Sequence, residues 1–274
     1  MQAAGPFLIV ACLVLSLVMA LLALGFRQKI ARFWTRVGQG PSVQDQTEKL
    51  PDLVRDYAHR AGGQVAAGQL ALILTQKADL RMKRGGLFKG FQAHQIVALG
   101  EPGFAWHARR GFGPLTWLRV VDVFVGGEGS LEARLLGALT VARANGVETT
   151  LGEAFRYLAE LPWAPDAMLG NPQLHWRQTA EREVEVKMNT RVGTARVTFQ
   201  FDPTGDIIAM EARDRPATDP AGRPVRYDWR GRFGDYRQVG DRRLPAYGEV
   251  GYAYPDGYEV YFRGRITDCR LTNR

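Results

Sequence analysis

Glu160 and Asp166 lie six residues apart in the stretch RYLAELPWAPDAML (156–169), with Arg156 one helical turn before Glu160. Paired carboxylates can do general acid and base work when their surroundings push their pKa values apart. The spacing favours a plainer reading. Arg156 and Glu160 fit a surface ion pair on a helix, contributing about 0.2–0.5 kcal/mol. Asp166 follows Pro165 and reads as a first-turn acid favoured by the helix dipole. Asp122 is the stronger candidate. In LRVVDVFV it shares parity with Leu118, Val120 and Phe124, an apolar face. A buried carboxylate there requires a partner, usually an arginine. Glu211 and Asp214-Arg215 raise the same question at the end of another strand. A polar network fixing the sheet and an acid facing a ligand cavity both fit these residues.

Other chemistry is thin. His59, His94, His107 and His175 are scattered; His94 and His107 can meet across paired strands, but two imidazoles without a third ligand make no metal centre. No H-E-x-x-H, G-x-S-x-G, P-loop or Cys/His metal spacing occurs. The two cysteines, Cys12 and Cys269, exclude a disulfide framework, since Cys12 falls in an apolar N-terminal run. Neither catalytic residue, metal nor cofactor is expected. The net charge of +8 favours an anionic partner. RYDWRGRFGDYRQVGDRR (226–243) interleaves arginines with Tyr227, Trp229, Phe233 and Tyr236, a pattern able to stack bases and bind phosphates. A solvated strand face or anionic lipid headgroups suit it better, so nucleic acid is not an expected partner.

The elements that must position these residues begin with FLIVACLVLSLVMALLALGF (7–26), without a charge. About 20 apolar residues span a bilayer core. A cleaved signal peptide would need a basic start and a shorter run, so an uncleaved transmembrane helix is expected. IVAC (9–12) matches a lipobox, yet the apolar run continues far beyond the cysteine. Arg27, Lys29, Arg32 and Arg36 follow at once; the positive-inside rule would keep them in the cytoplasm, and they also suit anionic headgroups. Residues 27–49 then read as a basic juxtamembrane segment and linker. A helix is expected near 51–61, with Pro51 at its start and Gly62 beyond its end. Period-two alternation follows in 69–82, 91–99, 103–110, 116–125, 131–142, 181–190, 195–201, 206–212, 226–233, 248–254 and 258–266, joined by turns such as DPTG and PDG. Thr150 and Glu153 form a capping box for a helix stopped by Pro162, and Pro165 opens a second. The helices fall within 151–169, and Trp163, between two prolines, reads as a wedge on the sheet. The expected fold is mainly β (α+β): a strongly curved antiparallel sheet or half-barrel over 50–274, closed by a few helices.

RYLAELPWAP, the FQAHQ and GFAW strands upstream, and Asp214-Arg215, Trp229, Tyr236, Gly240 and Pro245 downstream resemble a family of uncharacterised, often membrane-anchored bacterial proteins. The resemblance spans roughly 50–266. At fold level the chain is similar to the half-barrels of lipoprotein-localisation carriers of the LolA and LolB type. That resemblance implies an apolar cavity and a location outside the cytoplasm, opposite to the positive-inside reading. The side of the membrane is therefore open. The function expected is a protein of the inner cell membrane that holds a lipid or other hydrophobic ligand in its concave face, with Phe104, Trp106, Trp117, Asp122, Trp163, Met168, Trp176 and Trp229 as ligand-binding candidates. The alternative is an envelope scaffold that binds a partner protein and has a filled core.

Overall fold

A computed structural model describes residues 4–112, 115–219 and 221–273. It begins with one 35-residue helix, α1 (Ala4–Gly38), and a short helix, α2 (Asp52–Arg60). Six strands follow: β1 (Gln69–Arg81), β2 (Phe88–Ala98), β3 (Phe104–Phe112), β4 (Leu115–Val125), β5 (Glu128–Leu135) and β6 (Leu139–Asn145). Two helices come next, α3 (Val147–Ala159) and, after a 3-10 turn at Leu161–Trp163, α4 (Pro165–Gly170). Seven more strands complete the chain: β7 (His175–Ala180), β8 (Glu183–Thr190), β9 (Gly193–Phe201), β10 (Ile207–Thr218), β11 (Pro224–Val239), β12 (Arg242–Tyr254) and β13 (Gly257–Asn273).

All thirteen strands form one antiparallel sheet, in the order β6-β5-β4-β3-β2-β1-β13-β12-β11-β10-β9-β8-β7. Two meanders are stitched together where β1 pairs with β13, for example Leu74 opposite Cys269. The free edges are β6 and β7, neighbours in sequence, so α3 and α4 connect one edge to the other across the hollow of the curled sheet. This is the expected half-barrel.

Alternation explains the inner face. Leu70, Leu72, Leu74 and Ala78 of β1 are buried, and so are Val184, Val186 and Met188 of β8 and Ala195, Val197 and Phe199 of β9. Successive side chains of a strand point to opposite faces, so one parity fills the core. The expected strand 131–142 is a hairpin instead. Leu136 (φ 51°) and Gly137 (φ 75°) turn the chain between β5 and β6. Leu-Gly carries none of the Asn or Asp chemistry that normally announces such a turn.

The outer face of β1–β4 carries α1. Phe26, Ile30, Phe33, Trp34 and Val37 form one stripe at helical spacing and pack on Ala71, Ile73, Ile96, Ala105, Val121 and Val123. Lys29 Nζ binds Glu132 Oε2 at 2.6 Å, and Arg134 and Arg143 complete the ring around that buried carboxylate. His94 and His107 do stand opposite each other on this outer face. Burial, with Arg119 next, pushes His107 down to about 4, and no group of three metal-binding side chains lies there among the described residues. The preceding part of α1, from Phe7 to Gly25, is almost wholly exposed. It runs ~28 Å at 1.5 Å per residue. It belongs to the one helix among the described residues long and apolar enough to cross a membrane.

Candidate functional site

The hollow between the sheet and α3 is not filled. A cavity of about 270 Å³ remains, walled by Leu80, Val120, Leu131, Phe233, Val250 and Phe262. That lies just under the ~300–1,000 Å³ usual for small-molecule pockets. One end is polar. Asp122 of β4, Glu153, Arg156 and Glu160 of α3, and Arg215 of β10 all line it.

α3 brings three of these because it lies inside the curl, buried on nearly every side, rather than on its outside. Its charged flank therefore faces the hollow. Arg156 donates from Nη1 to Asp122 Oδ2 (2.5 Å) and from Nε to Glu160 Oε1 (2.8 Å). Its guanidinium stacks over Phe104 and Trp106, 4.7 and 5.2 Å from the ring centroids. The network continues through neutral groups. Gln95 donates to Glu160, Gln76 donates to Gln95 (2.9 Å), and Trp106 Nε1 donates to Gln76 (3.0 Å). Gln76, which interrupts the apolar parity of β1, is thus a buried link in this chain.

Arg215 arrives by a different route. The alternation of β10 puts Met210 and Ala212 inward, so position 215 would face out. A bulge between Ala212 and Arg215, with Asp214 at φ 52°, adds one residue and reverses the parity. Arg215 then donates to the Gly152 carbonyl (3.1 Å) and to the Tyr252 hydroxyl, with its Cζ 4.4 Å from the Trp229 centroid. Tyr252 stacks on Tyr261, whose hydroxyl accepts from Trp229 Nε1 at 3.2 Å.

Burial shapes the titration of the cluster. Desolvation pushes Glu153 up to about 8, and the nearby Asp122 adds to it. Asp122 is also raised, by desolvation, against the pull of Arg156. Burial opposes the Arg156 charge, but Glu160, Asp122 and Glu153 outweigh it and hold the proton more tightly than usual. Three buried polar atoms of this cluster have no partner among the described residues: Asp122 Oδ1, Glu153 Oε2 and Arg215 Nε.

Of the residues expected from sequence, Trp106, Asp122, Trp163 and Trp229 meet in this cavity. Trp163 is the expected wedge: its Nε1 donates to the Pro245 carbonyl at 2.8 Å and its ring meets Phe233 edge-on. The other four lie elsewhere. Phe104 lies beneath Arg156, behind the wall. Trp117 packs on the outer part of the core, beside Arg110. Met168 is sealed into the core below α4. Trp176 stacks on Phe199 near the β7 edge.

Two further expectations are corrected, and a third is extended. The Arg156–Glu160 pair is not on the surface; it is the centre of the cavity network. Thr150 and Glu153 form no capping box, because α3 starts earlier, at Val147. Thr150 instead accepts from the Gly129 amide, and Glu153 points to the cavity. Asp166 does stand in the first turn of α4, as expected, and is in addition fully buried and held in a fork by Arg242, with Oδ1–Nη2 at 2.8 Å and Oδ2–Nε at 3.1 Å. The sequence reading missed Glu153 and Arg215 as site residues. A second face of α3 rich in charge yet flanked by small residues was the available signal for the first; nothing in the pattern announces the bulge that aims the second.

No curated protein matches the chain. Solved structures similar to it include a putative outer membrane lipoprotein-sorting protein domain from Vibrio parahaemolyticus, at 11% identity and TM-score 0.44, covering 83% of this chain and 94% of that one. A LolA superfamily protein from Nitrosomonas europaea is similar at 9% identity and TM-score 0.42, covering 81% and 94%. A DUF1329 family protein from Desulfovibrio piger follows at 10% identity and TM-score 0.37, covering 83% and 94%. These likenesses concern the fold. The sequence itself matches a family profile over residues 41–264, most of its length, and the chain belongs to that family of unknown function, DUF6544.

Proposed function

We propose that this protein binds a hydrophobic ligand with a polar head in the concave face of its half-barrel, while held at a membrane by α1. The observation that carries the reading is the cavity: apolar walls leading to a buried, incompletely satisfied polar end. A buried polar group without a partner costs roughly 1–3 kcal/mol, which a ligand head would offset. A chain of methylenes suits the walls, and the volume suits one chain rather than several. A scaffold with a filled core, the competing expectation, has no use for this hollow.

The membrane reading has its own support. In an antiparallel meander every second turn falls at the same end of the sheet. The β1–β2 and β5–β6 turns share one end with the last residue of β3 and the first of β4, and there Met82, Leu87, Phe112, Leu115, Leu136 and Leu139 are all exposed. A Cβ on Gly137, in the last of these turns, would lie 3.3 Å from Ala23 Cβ, within the apolar part of α1. The β5–β6 turn thus flanks the helix where it leaves the sheet, and Lys83 and Lys89 stand beside the β1–β2 turn for anionic headgroups.

The test is retention. Full-length protein reconstituted in nanodiscs is incubated with isotope-labelled single-chain amphiphiles, re-isolated and weighed by native mass spectrometry. The wild type is expected to retain one ligand. Leu131→Trp, which fills the cavity from β5, is expected to retain none. Equal retention by both proteins overturns the reading.

A further inference from the structure

The polar end of the cavity is unsatisfied in a specific sense, and from it we infer the class of ligand: a single-chain amphiphile whose head is a cationic amine, seated between Asp122 and Glu153. The inference rests on the cavity reading above and deepens it. Asp122 and Glu153 are each more than nine-tenths buried, and each presents one carboxyl oxygen without a partner. Asp122 is an acceptor and Glu153 becomes one when it gives up its proton, so a group that takes that proton's place must donate. An ammonium supplies three.

The guanidinium groups are largely committed. Arg156 is engaged by Asp122 and Glu160 and lies flat on Phe104 and Trp106. Arg215 is engaged by Gly152 and Tyr252 and lies on Trp229; only its Nε is free. A carboxylate or phosphate head would find few open donors and two carboxyl groups facing it. Formal charge points the same way. With Glu153 protonated, Arg156 and Arg215 are balanced by Asp122 and Glu160. Deprotonated Glu153 adds one negative charge, the complement of a monovalent cation. Glu153, pushed up to about 8, keeps its proton at neutral pH until such a cation replaces it.

The titratable groups of the cavity around Glu153 come from five elements: Asp122 from β4, Arg156 and Glu160 from α3 and its C-cap, Arg215 from β10, Glu249 and Tyr252 from β12 and Tyr261 from β13, with Glu249 already balanced by Arg263. None of the others reverses the sign. Amine binding therefore strengthens as pH rises through the range in which Glu153 loses its proton.

Full-length protein in nanodiscs is offered decylamine, decanol and decanoate in separate titrations at pH 6.5 and 8.5, read by native mass spectrometry. Decylamine is expected to bind about tenfold more tightly than the other two, the effect of one charge-assisted contact, and to gain affinity at the higher pH. Glu153→Gln is expected to abolish that gain and the preference while decanol binding persists. Decanol or decanoate binding as tightly as decylamine overturns the amine and leaves the cavity reading standing; binding of none of the three overturns both. If Glu153→Gln does not fold, the ranking and pH dependence of the wild type decide the matter alone.

Discussion

Glu153 keeps its proton at neutral pH because the folded protein desolvates it and sets Asp122 beside it. The same fact makes it a liability for stability. Its pKa is about 8 in the folded protein against an ordinary 4.5, so between these values the folded state binds more protons than the unfolded state. Stability then falls as pH rises across that window, and the cost is complete above about 8. Glu153→Gln removes the titration but keeps the shape. The variant is expected to be more stable than the wild type by ~1–3 kcal/mol at pH 8.5, with the difference shrinking toward zero near pH 4.5, measured as thermal midpoints of ligand-free protein. A wild type and variant that track each other at both pH values would contradict this assignment. At this scale the sequence was partly legible. Parity alone placed Asp122 on the buried face of β4 and demanded an arginine for it. That the arginine would be Arg156, on a helix flank that looked solvated, depended on where α3 lies, which no local pattern encodes.

Among the elements, α3 and α4 form a band joining the two free edges of the sheet, and Asp166 fastens it. Its carboxylate takes two bonds from Arg242 of β12 and a third from the Gln64 amide, at 3.0 Å, in the segment after α2. Three separated stretches of chain therefore meet at one buried charge pair. Removing a single partner of such a pair leaves the other charge uncompensated. Arg242→Met is expected to destabilise the protein by ~3–5 kcal/mol, and Asp166→Leu combined with Arg242→Met to recover much of that loss; chemical denaturation with both variants gives the comparison. A loss below ~1 kcal/mol for the single change would mean that the pair does not hold the band. The hairpins were legible where Gly, Asp and Pro mark the turns, as in DPTG and PDG. They were hidden at Leu136-Gly137, where an exposed leucine, its amide bonded to the Trp117 carbonyl at 2.8 Å, takes a left-handed conformation that its chemistry does not favour.

For the molecule as a whole, a helix long and apolar enough to cross a membrane and a one-sided sheet were both readable from the N-terminal run and from period-two alternation. The apolar residues at one end of the sheet were not, because their meeting there is a product of the fold. If they enter the bilayer interface, a spin label at Leu87→Cys, Phe112→Cys or Leu136→Cys, in a Cys12→Ser background in nanodiscs, is expected to be relaxed by membrane-dissolved oxygen. A label at Val147→Cys, on the far side of β6, is expected to respond to a water-soluble relaxant instead. Identical behaviour at all four positions would remove the membrane contact. One last consequence comes from the continuity of α1, which passes from its exposed apolar part to the stripe docked on β1–β4 without a break. A flexible tether would let the half-barrel wander; a rod does not. If α1 spans a bilayer, it adjusts to bilayer thickness by tilting, and the tilt is handed on to the sheet docked on its other end. In that case lipid composition would aim the cavity, and its mouth would stay at one height above the bilayer.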